Sequence, residues 1–121
     1  MATAGRTAKL GDDLTVSALG FGAGALAVYG DADDAESLAT LNHCLDLGVT
    51  FIDTANVYGG GSNERLIARL LADRRGEVTL ATKFGMVGNP ADRAAGRPPV
   101  RGDAAYVRQC IDESLDRKSV V

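Results

Sequence analysis

Short apolar runs alternate along the chain with stretches in which apolar residues recur at helical spacing. Residues 7–16 predict a β-hairpin, because two β-favouring runs flank a Gly-Asp-Asp turn. Three further apolar runs, 17–22, 49–53 and 78–83, predict buried strands. The pattern therefore begins with a hairpin and continues with single strands that are separated by helical segments.

Each helical segment follows a residue suited to cap a helix, namely Asp33, Ser62 and Asp103. Gly48 and Gly76 follow the first two segments, at positions where glycine commonly ends a helix. Within each segment the apolar side chains share one face, which we expect to be buried. These positions are Leu38, Leu41 and Leu45, then Leu66, Ile67, Leu70 and Leu71, and finally Val107, Ile111 and Leu115.

The alternation of strand and helix with short connections predicts an α/β fold with a parallel sheet. Two architectures satisfy this order, a doubly wound open sheet and a (β/α)₈ barrel. The loops of the pattern lie at 24–31 and at 84–102, and the second contains all three prolines. The pattern alone leaves the choice between the two architectures open.

Three polar residues stand where function collects in parallel α/β folds, at the carboxyl ends of strands. Asp53 ends the strand at 49–53, Tyr58 lies in the loop that follows, and Lys83 ends the strand at 78–83. Neighbouring strand ends bring such side chains together. Taken singly, the three residues would be read as a cap, a loop aromatic and a solvated lysine.

Together the three side chains suit the donation of a proton to a carbonyl oxygen. A free tyrosine has a pKa near ~10, which makes it a weak acid at neutral pH. A lysine ammonium stabilises the phenolate, and an aspartate keeps the lysine charged and in place. Asp53, Tyr58 and Lys83 are therefore candidate catalytic residues.

Four segments of the chain resemble the aldo-keto reductase family. Residues 48–59 (GVTFIDTANVYG) are similar to its signature, and 62–67 (SNERLI) to its Asn-Glu helix start. Residues 81–85 (ATKFG) resemble its lysine strand, and 14–22 (LTVSALGFG) its opening hairpin and first strand. The resemblance covers nearly the whole chain, and it is specific because aspartate, tyrosine and lysine occur in order, each in its own context.

The resemblance implies the N-terminal portion of a (β/α)₈ TIM barrel, made of about three βα units preceded by a β-hairpin. The implied activity is NADPH-dependent reduction of an aldehyde or ketone to an alcohol. Tyr58 is then the general acid, Lys83 the residue that stabilises its phenolate, and Asp53 the partner of Lys83.

The cofactor implied by the resemblance is NADPH. Gly22, Ala23 and Gly24 resemble the first-strand loop near the nicotinamide end, and Asp53 is expected beside the same group. A small carbonyl compound is the implied substrate. Neither nucleic acid, membrane nor metal is expected as a partner, and the oligomeric state stays open.

Three other interpretations fit parts of the chain. Residues 20–25 fit the GxGxxA dinucleotide pattern, but that pattern requires a helix directly on the glycines, and the predicted helix starts after Asp33. Residues 59–61 (GGG) precede a helix and could hold an anion, although a tight turn is favoured.

The third interpretation concerns the function of the whole protein, which would be a non-catalytic NADP-binding regulatory subunit on the same fold, like the potassium-channel β subunits. The intact catalytic group favours an enzyme over it.

Composition defines the setting of this chemistry. The net charge of −3 and the 24% of charged residues indicate neither a nucleic-acid surface nor an anionic-membrane surface. No apolar run approaches the about 20 residues of a membrane span, and residues 1–10 lack a secretory h-region, so we expect a cytoplasmic protein. Cys44 and Cys110 are predicted to be buried free thiols, and His43 a surface or interhelix residue.

The length and the end of the sequence carry expectations of their own. A (β/α)₈ barrel takes about 250 residues, so we expect a partial reductase domain over 1–115 that lacks the family's catalytic histidine. We expect this partial domain to be inactive and poorly folded alone. Residues 116–121 (DRKSVV) match what a common short-read adapter encodes before a stop codon. We expect this tail to be a sequencing artefact; a genuine truncated product and an ordinary divergent tail are the alternatives.

Overall fold

The computed structural model describes residues 5–28, 33–87, 94–96 and 99–118. The strands within these residues are β1 (Thr7–Leu10), β2 (Leu14–Ser17), β3 (Gly20–Gly22), β4 (Phe51–Asp53) and β5 (Thr79–Ala81). The helices are α1 (Ala25–Val28), α2 (Asp34–Asp46), α3 (Ser62–Arg74) and α4 (Ala104–Lys118), with 3₁₀ turns at Tyr58–Gly61 and Arg75–Glu77. Parts of the two predicted loops, residues 29–31, 88–93 and 97–98, lie outside the described residues.

The predicted parallel sheet is confirmed. Strands β3, β4 and β5 lie side by side in that order, and both pairings are parallel. Asp53 is level with Gly22 on one side and with Ala81 on the other, so the carboxyl ends of all three strands meet at one edge. That edge is where the candidate site lies.

The predicted hairpin is also confirmed, and it covers the opposite end of the sheet. Strands β1 and β2 pair in antiparallel fashion. The Ser17 hydroxyl oxygen accepts hydrogen bonds from the backbone N–H groups of Thr50 and Phe51, at 3.0 Å each. The hairpin therefore attaches to the amino end of β4, away from the catalytic edge.

The core lies between the sheet and the two helices that follow its first two strands. The predicted apolar stripes of α2 and α3 are buried except for Leu38, which is partly buried, and Ile52 of β4 is fully covered. Burying a side chain of this size stabilises a fold by about 1.5–3 kcal/mol. The buried cluster comprises Ala23, Leu41, Leu45, Ile52, Ile67, Leu70, Leu71 and Val78. It fixes both helices against the strands that carry the site.

The predicted helix starts are confirmed in two of three cases. The carboxylate of Asp33 accepts from the N–H of Glu36, and that of Asp103 accepts from the N–H of Tyr106, each at 3.1 Å. The prediction for Ser62 is wrong, because Ser62 is the first residue of α3 and Gly61 precedes it in a left-handed conformation, with φ of 98°. The prediction of a loop at 24–31 is wrong in part, since α1 lies within it.

The predicted inner face of α4 is wrong. Ile111 and Leu115 are 48% and 45% exposed, whereas Cys110 and Ser114 are buried. Ser114 donates to the buried carboxylate of Glu64 on α3, at 3.2 Å, and this contact fixes the rotation of the helix. Ile111 and Leu115 face an open groove instead, and α4 continues to Lys118.

The histidine and the two cysteines, for which the sequence predicts no catalytic role, lie on α2 and α4. His43 is exposed on α2, as predicted. Cys110 is buried and Cys44 half-buried, and both thiols are free. Burial raises the pKa of the Cys44 thiol, which opposes formation of a nucleophilic thiolate. Within the described residues no helix combines the length and the apolar character needed to cross a membrane.

Candidate active site

The three predicted catalytic side chains converge at the carboxyl edge of the sheet. Asp53 is the last residue of β4, and Tyr58 begins the 3₁₀ turn that follows it. Strand β5 is shorter than predicted, so Lys83 lies two residues beyond its end. The carbonyl of Lys83 nevertheless accepts from the N–H of Asn56 at 3.1 Å, which keeps this segment beside the end of β4.

The ammonium of Lys83 is the centre of the group. Its Nζ donates to Asp53 Oδ1 at 2.5 Å, to the carbonyl oxygen of Thr54 at 2.8 Å and to Tyr58 Oη at 3.3 Å. An ammonium has three N–H donors, and these acceptors match that number. Because Tyr58 Oη accepts from Lys83, its own proton can be donated to a second molecule.

Electrostatics keep Lys83 charged. Burial by itself lowers the pKa of Lys83, but the hydrogen bonds and the charge interactions with Asp53 and Tyr58 together outweigh it, so that the pKa stands above its ordinary value. The side chains of Lys83 and Asp53 are 49% and 42% exposed, so solvent weakens the pair's contribution to stability. The same exposure gives a small molecule access to the group.

Two glycines position the ring of Tyr58. A Cβ at Gly24 would lie 3.1 Å from Cε2 and Cζ of that ring, so the ring packs where a side chain would otherwise stand. Gly59 follows Tyr58 with a φ of 58°, and a Cβ there would lie 2.0 Å from Ser62 Oγ. The turn after Tyr58 therefore requires glycine, which agrees with the tight turn predicted for residues 59–61.

The remaining sequence candidates, Gly22, Ala23 and Gly24, occupy the end of β3 and the loop behind it. Gly22 is level with Asp53, and the position of its missing Cβ is open space. Ala23 is fully buried, and its N–H donates to the carbonyl of Asp53 at 2.8 Å. Gly22 thus borders the catalytic group, while Ala23 contributes to the core.

Two polar residues of the site were missed by sequence reasoning. Thr54 supplies the carbonyl that holds Lys83, and its hydroxyl donates to Asn63 Oδ1 at 2.6 Å. Asn63 is 1% exposed. A signal was present, because Asn63 lies four and seven residues before Ile67 and Leu70, and so occupies the buried stripe of α3. A polar residue on such a stripe needs a partner in the core.

Fold and site together define an α/β protein with a tyrosine–lysine–aspartate group at the carboxyl edge of a parallel sheet. The model of the Aldo/keto reductase family matches residues 18–120. The chain belongs to this family.

Several relatives show how much of such a protein the chain represents. It is 40% identical to the aldo-keto reductase yakc [NADP(+)] of Schizosaccharomyces pombe, covering 94% of this chain and 33% of that protein. The holo form of the aldo-keto reductase AKR11C1 from Bacillus halodurans is 32% identical with a TM-score of 0.76, covering 94% of this chain and 36% of that one. The glycerol dehydrogenase AKR11B4 from Gluconobacter oxydans is also 32% identical with a TM-score of 0.72, covering the same shares.

The comparisons decide the architecture that the sequence pattern left open. The solved relatives are (β/α)₈ barrels, and the chain corresponds to their N-terminal portion, as predicted. The chain spans about a third of the length of these relatives. The Rossmann interpretation of residues 20–25 is therefore wrong, even though α1 begins close behind these glycines.

Proposed function

We propose that this chain supplies the proton donor of an NADPH-dependent carbonyl reductase, with Tyr58 as general acid. One observation carries the proposal: the Lys83 ammonium contacts the phenol oxygen of Tyr58 and the carboxylate of Asp53 at once. A phenol held against a fixed cation can release its proton at lower cost than a free one. This arrangement suits a reaction in which an oxygen atom gains a proton.

The proposed reaction converts an aldehyde or ketone to an alcohol. NADPH, when bound, supplies the hydride that the carbonyl carbon accepts as the carbon–oxygen π bond breaks. Tyr58 Oη gives its proton to the carbonyl oxygen, and Lys83 stabilises the negative charge left on the phenolate. Asp53 keeps Lys83 protonated and in place, and solvent returns a proton to Tyr58 after product release.

The residues present fit the nicotinamide end of such a cofactor. Gly22 leaves open space beside Asp53, and a flat ring needs such a surface. Asp53 and Lys83 add an acceptor and a donor next to that space. Gly22, the backbone of Ala23 and Gly24, and Asp53 are accordingly the proposed contacts of this chain with the cofactor.

The 121-residue chain by itself is proposed to be inactive. Apolar side chains border an open groove of about 230 Å³ between β5 and α4, including Leu80, Phe84, Ile111 and Leu115. In a closed barrel the edge of β5 pairs with another strand. Assays of activity therefore need the complete reading frame that contains this sequence.

Turnover separates an enzyme from a regulatory NADP-binding subunit. The product of the complete reading frame is mixed with NADPH and 4-nitrobenzaldehyde, and NADPH consumption is followed by absorbance while binding is followed by NADPH fluorescence. We expect binding together with sustained consumption. Tight NADPH binding without turnover on a panel of aldehydes and ketones would instead support the regulatory role.

A further inference from the structure

The side chain of Asn63 bridges two strand ends from the first turn of α3. Its Oδ1 accepts from the Thr54 hydroxyl at 2.6 Å, and its Nδ2 donates to the carbonyl of Ala23 at 2.9 Å. Asn63 is 1% exposed, and Thr54 and Ala23 are fully buried. A buried amide whose oxygen and nitrogen both form hydrogen bonds fixes the groups that it contacts. Breaking either bond would leave a buried polar atom without a partner.

The first arm of this bridge leads to Lys83. Thr54 presents its hydroxyl to Asn63 and its carbonyl to the Lys83 ammonium, the latter at 2.8 Å. One residue thus joins the buried amide to the catalytic cation. Holding the hydroxyl limits rotation of this peptide segment, and so fixes the direction of the carbonyl that receives Lys83.

The second arm leads to Tyr58. Asn63 Nδ2 donates to the carbonyl of Ala23, and the N–H of Ala23 donates to the carbonyl of Asp53 at 2.8 Å. The next residue, Gly24, lies against the ring of Tyr58, with its Cβ position 3.1 Å from two ring carbons. The amide therefore anchors the backbone that supports this ring.

The following residue of α3 anchors the third strand end. Glu64 is fully buried, and its Oε1 accepts from the Thr82 hydroxyl at 2.7 Å. Thr82 directly precedes Lys83. Consecutive residues of one helical turn thus contact the carboxyl ends of β3, β4 and β5. A helix cap would bond to its own helix, whereas these side chains reach across to the sheet.

We propose that Asn63 is a positioning residue that sets the placement of Lys83 and Tyr58 through Thr54 and Ala23. The inference rests on the proposed function, because it assigns Asn63 a role in that chemistry. The hydrogen bonds of the Asn63 amide go to Thr54 and Ala23, so it acts on the two catalytic side chains through these residues. It acts on the separation and direction of the two groups, on which proton transfer depends.

The test is a matched pair at Thr54, made in the product of the complete reading frame. Thr54→Val removes the hydroxyl and keeps the branched shape, while Thr54→Ser keeps the hydroxyl. We expect Thr54→Val to lower kcat by about 10- to 100-fold, with the KM for 4-nitrobenzaldehyde and the Kd for NADPH within about twofold. We expect Thr54→Ser to restore most of the kcat. Asn63→Asp, which replaces the amide donor facing Ala23 with a carboxylate oxygen, should lose at least as much.

The kcat per folded, cofactor-binding site separates positioning from simple destabilisation. NADPH titration of each variant gives the fraction of protein that binds the cofactor, and kcat is expressed per binding site. We expect this kcat to fall in Thr54→Val and to return in Thr54→Ser, because serine keeps the hydroxyl that donates to Asn63 Oδ1. A variant that was merely less folded would keep the wild-type kcat per binding site. That result, or an unchanged kcat in both Thr54→Val and Asn63→Asp, would overturn the positioning role.

Failure of the inference and failure of the proposed function are distinguishable with one more variant. If Tyr58→Phe abolishes turnover while Thr54→Val and Asn63→Asp both retain the wild-type kcat, the mechanism stands and the role of Asn63 is refuted. If Tyr58→Phe turns over like the wild type, the proposed function itself is refuted.

Discussion

Tyr58 depends on the absence of a side chain at Gly24. The ring lies 3.1 Å from the position of a Cβ there, closer than the ordinary van der Waals contact of two carbons. The resemblance to the family implies a cofactor contact for Gly24, and the structure adds a packing contact with the ring of Tyr58. The identity of residue 24 therefore bears on where the phenol oxygen lies relative to Lys83.

Replacing Gly24 by alanine should slow the chemical step. The ring of Tyr58 must shift by a few tenths of an ångström, which we expect to lower kcat roughly tenfold, since misplacement by 1 Å costs about 100-fold. Steady-state kinetics of the Gly24→Ala variant test this. Gly76→Ala is the control, because its added methyl group meets no atom within 4 Å. Equal kcat values for the two variants would contradict the packing role.

Sequence patterns located the acid–base residues but not their supports. Asp53, Tyr58 and Lys83 stand in distinctive segments at strand ends, and the structure brings them together. The role of Thr54 depends on a backbone carbonyl, and a sequence records no direction for such an atom. Asn63 was visible as part of an Asn-Glu helix start, but its partners lie directly after two different strands, β3 and β4.

At the scale of elements, predictions succeeded where local rules decide. Caps at Asp33 and Asp103 formed because a carboxylate there can accept from an N–H three residues on. The inner face of α4 was predicted wrongly because polar contacts with Glu64, from Ser114 and Arg117, set its rotation. Such contacts between helices cannot be inferred from apolar spacing alone.

Arg74 joins the ends of α2 and α3. Its guanidinium contacts Asp46 at the end of α2 at 2.9 Å and Glu77, just after α3, at 2.7 Å. It also donates to the carbonyl of Asn42 at 3.3 Å. The hydrogen bond from Arg74 holds the pKa of Glu77 below its ordinary value, against the smaller opposing effect of burial.

The lowered pKa of Glu77 predicts how stability depends on pH. A carboxylate whose folded pKa is depressed stabilises the fold above its unfolded pKa, near 4.5, and this contribution is lost as the pH falls through the folded value. Glu77→Gln should therefore lower the unfolding midpoint at neutral pH, and the difference from wild type should shrink at acid pH. Thermal unfolding of the wild type and of Glu77→Gln, at neutral and at acid pH, measures this difference in midpoint.

A control variant removes a carboxylate elsewhere. Asp12→Asn changes the charge in the exposed turn of the β1–β2 hairpin. We expect its unfolding midpoint to stay close to that of wild type at neutral pH. A difference between wild type and Glu77→Gln that persisted unchanged at acid pH would show that the ion pair with Arg74 is not its source.

At the scale of the whole molecule, one face of the fold is apolar and open. Phe84, Ile111 and Leu115 border the groove beside β5 and are between 45% and 48% exposed, and β5 is the last strand of the described sheet. Exposed apolar patches and unpaired strand edges favour association with other surfaces.

The isolated 121-residue chain should consequently self-associate and bind a hydrophobic dye. Ile111→Gln should reduce both effects, because Ile111 borders the groove beside β5. Leu14→Gln is the matched control, since Leu14 is similarly exposed but lies in the hairpin at the other end of the sheet. Size-exclusion chromatography and dye fluorescence report the outcome. A monodisperse chain without dye binding would contradict the expectation.

The most direct test of the proposed chemistry removes one oxygen atom. Tyr58→Phe and the control Tyr106→Phe, whose ring stacks on Arg101 at 4.5 Å, are compared in the product of the complete reading frame. NADPH consumption with 4-nitrobenzaldehyde gives kcat, and fluorescence titration gives the Kd for NADPH. We predict that Tyr58→Phe lowers kcat by about 100- to 10,000-fold with the Kd nearly unchanged, and that Tyr106→Phe retains wild-type values. Wild-type turnover by Tyr58→Phe would show that Tyr58 is not the proton donor.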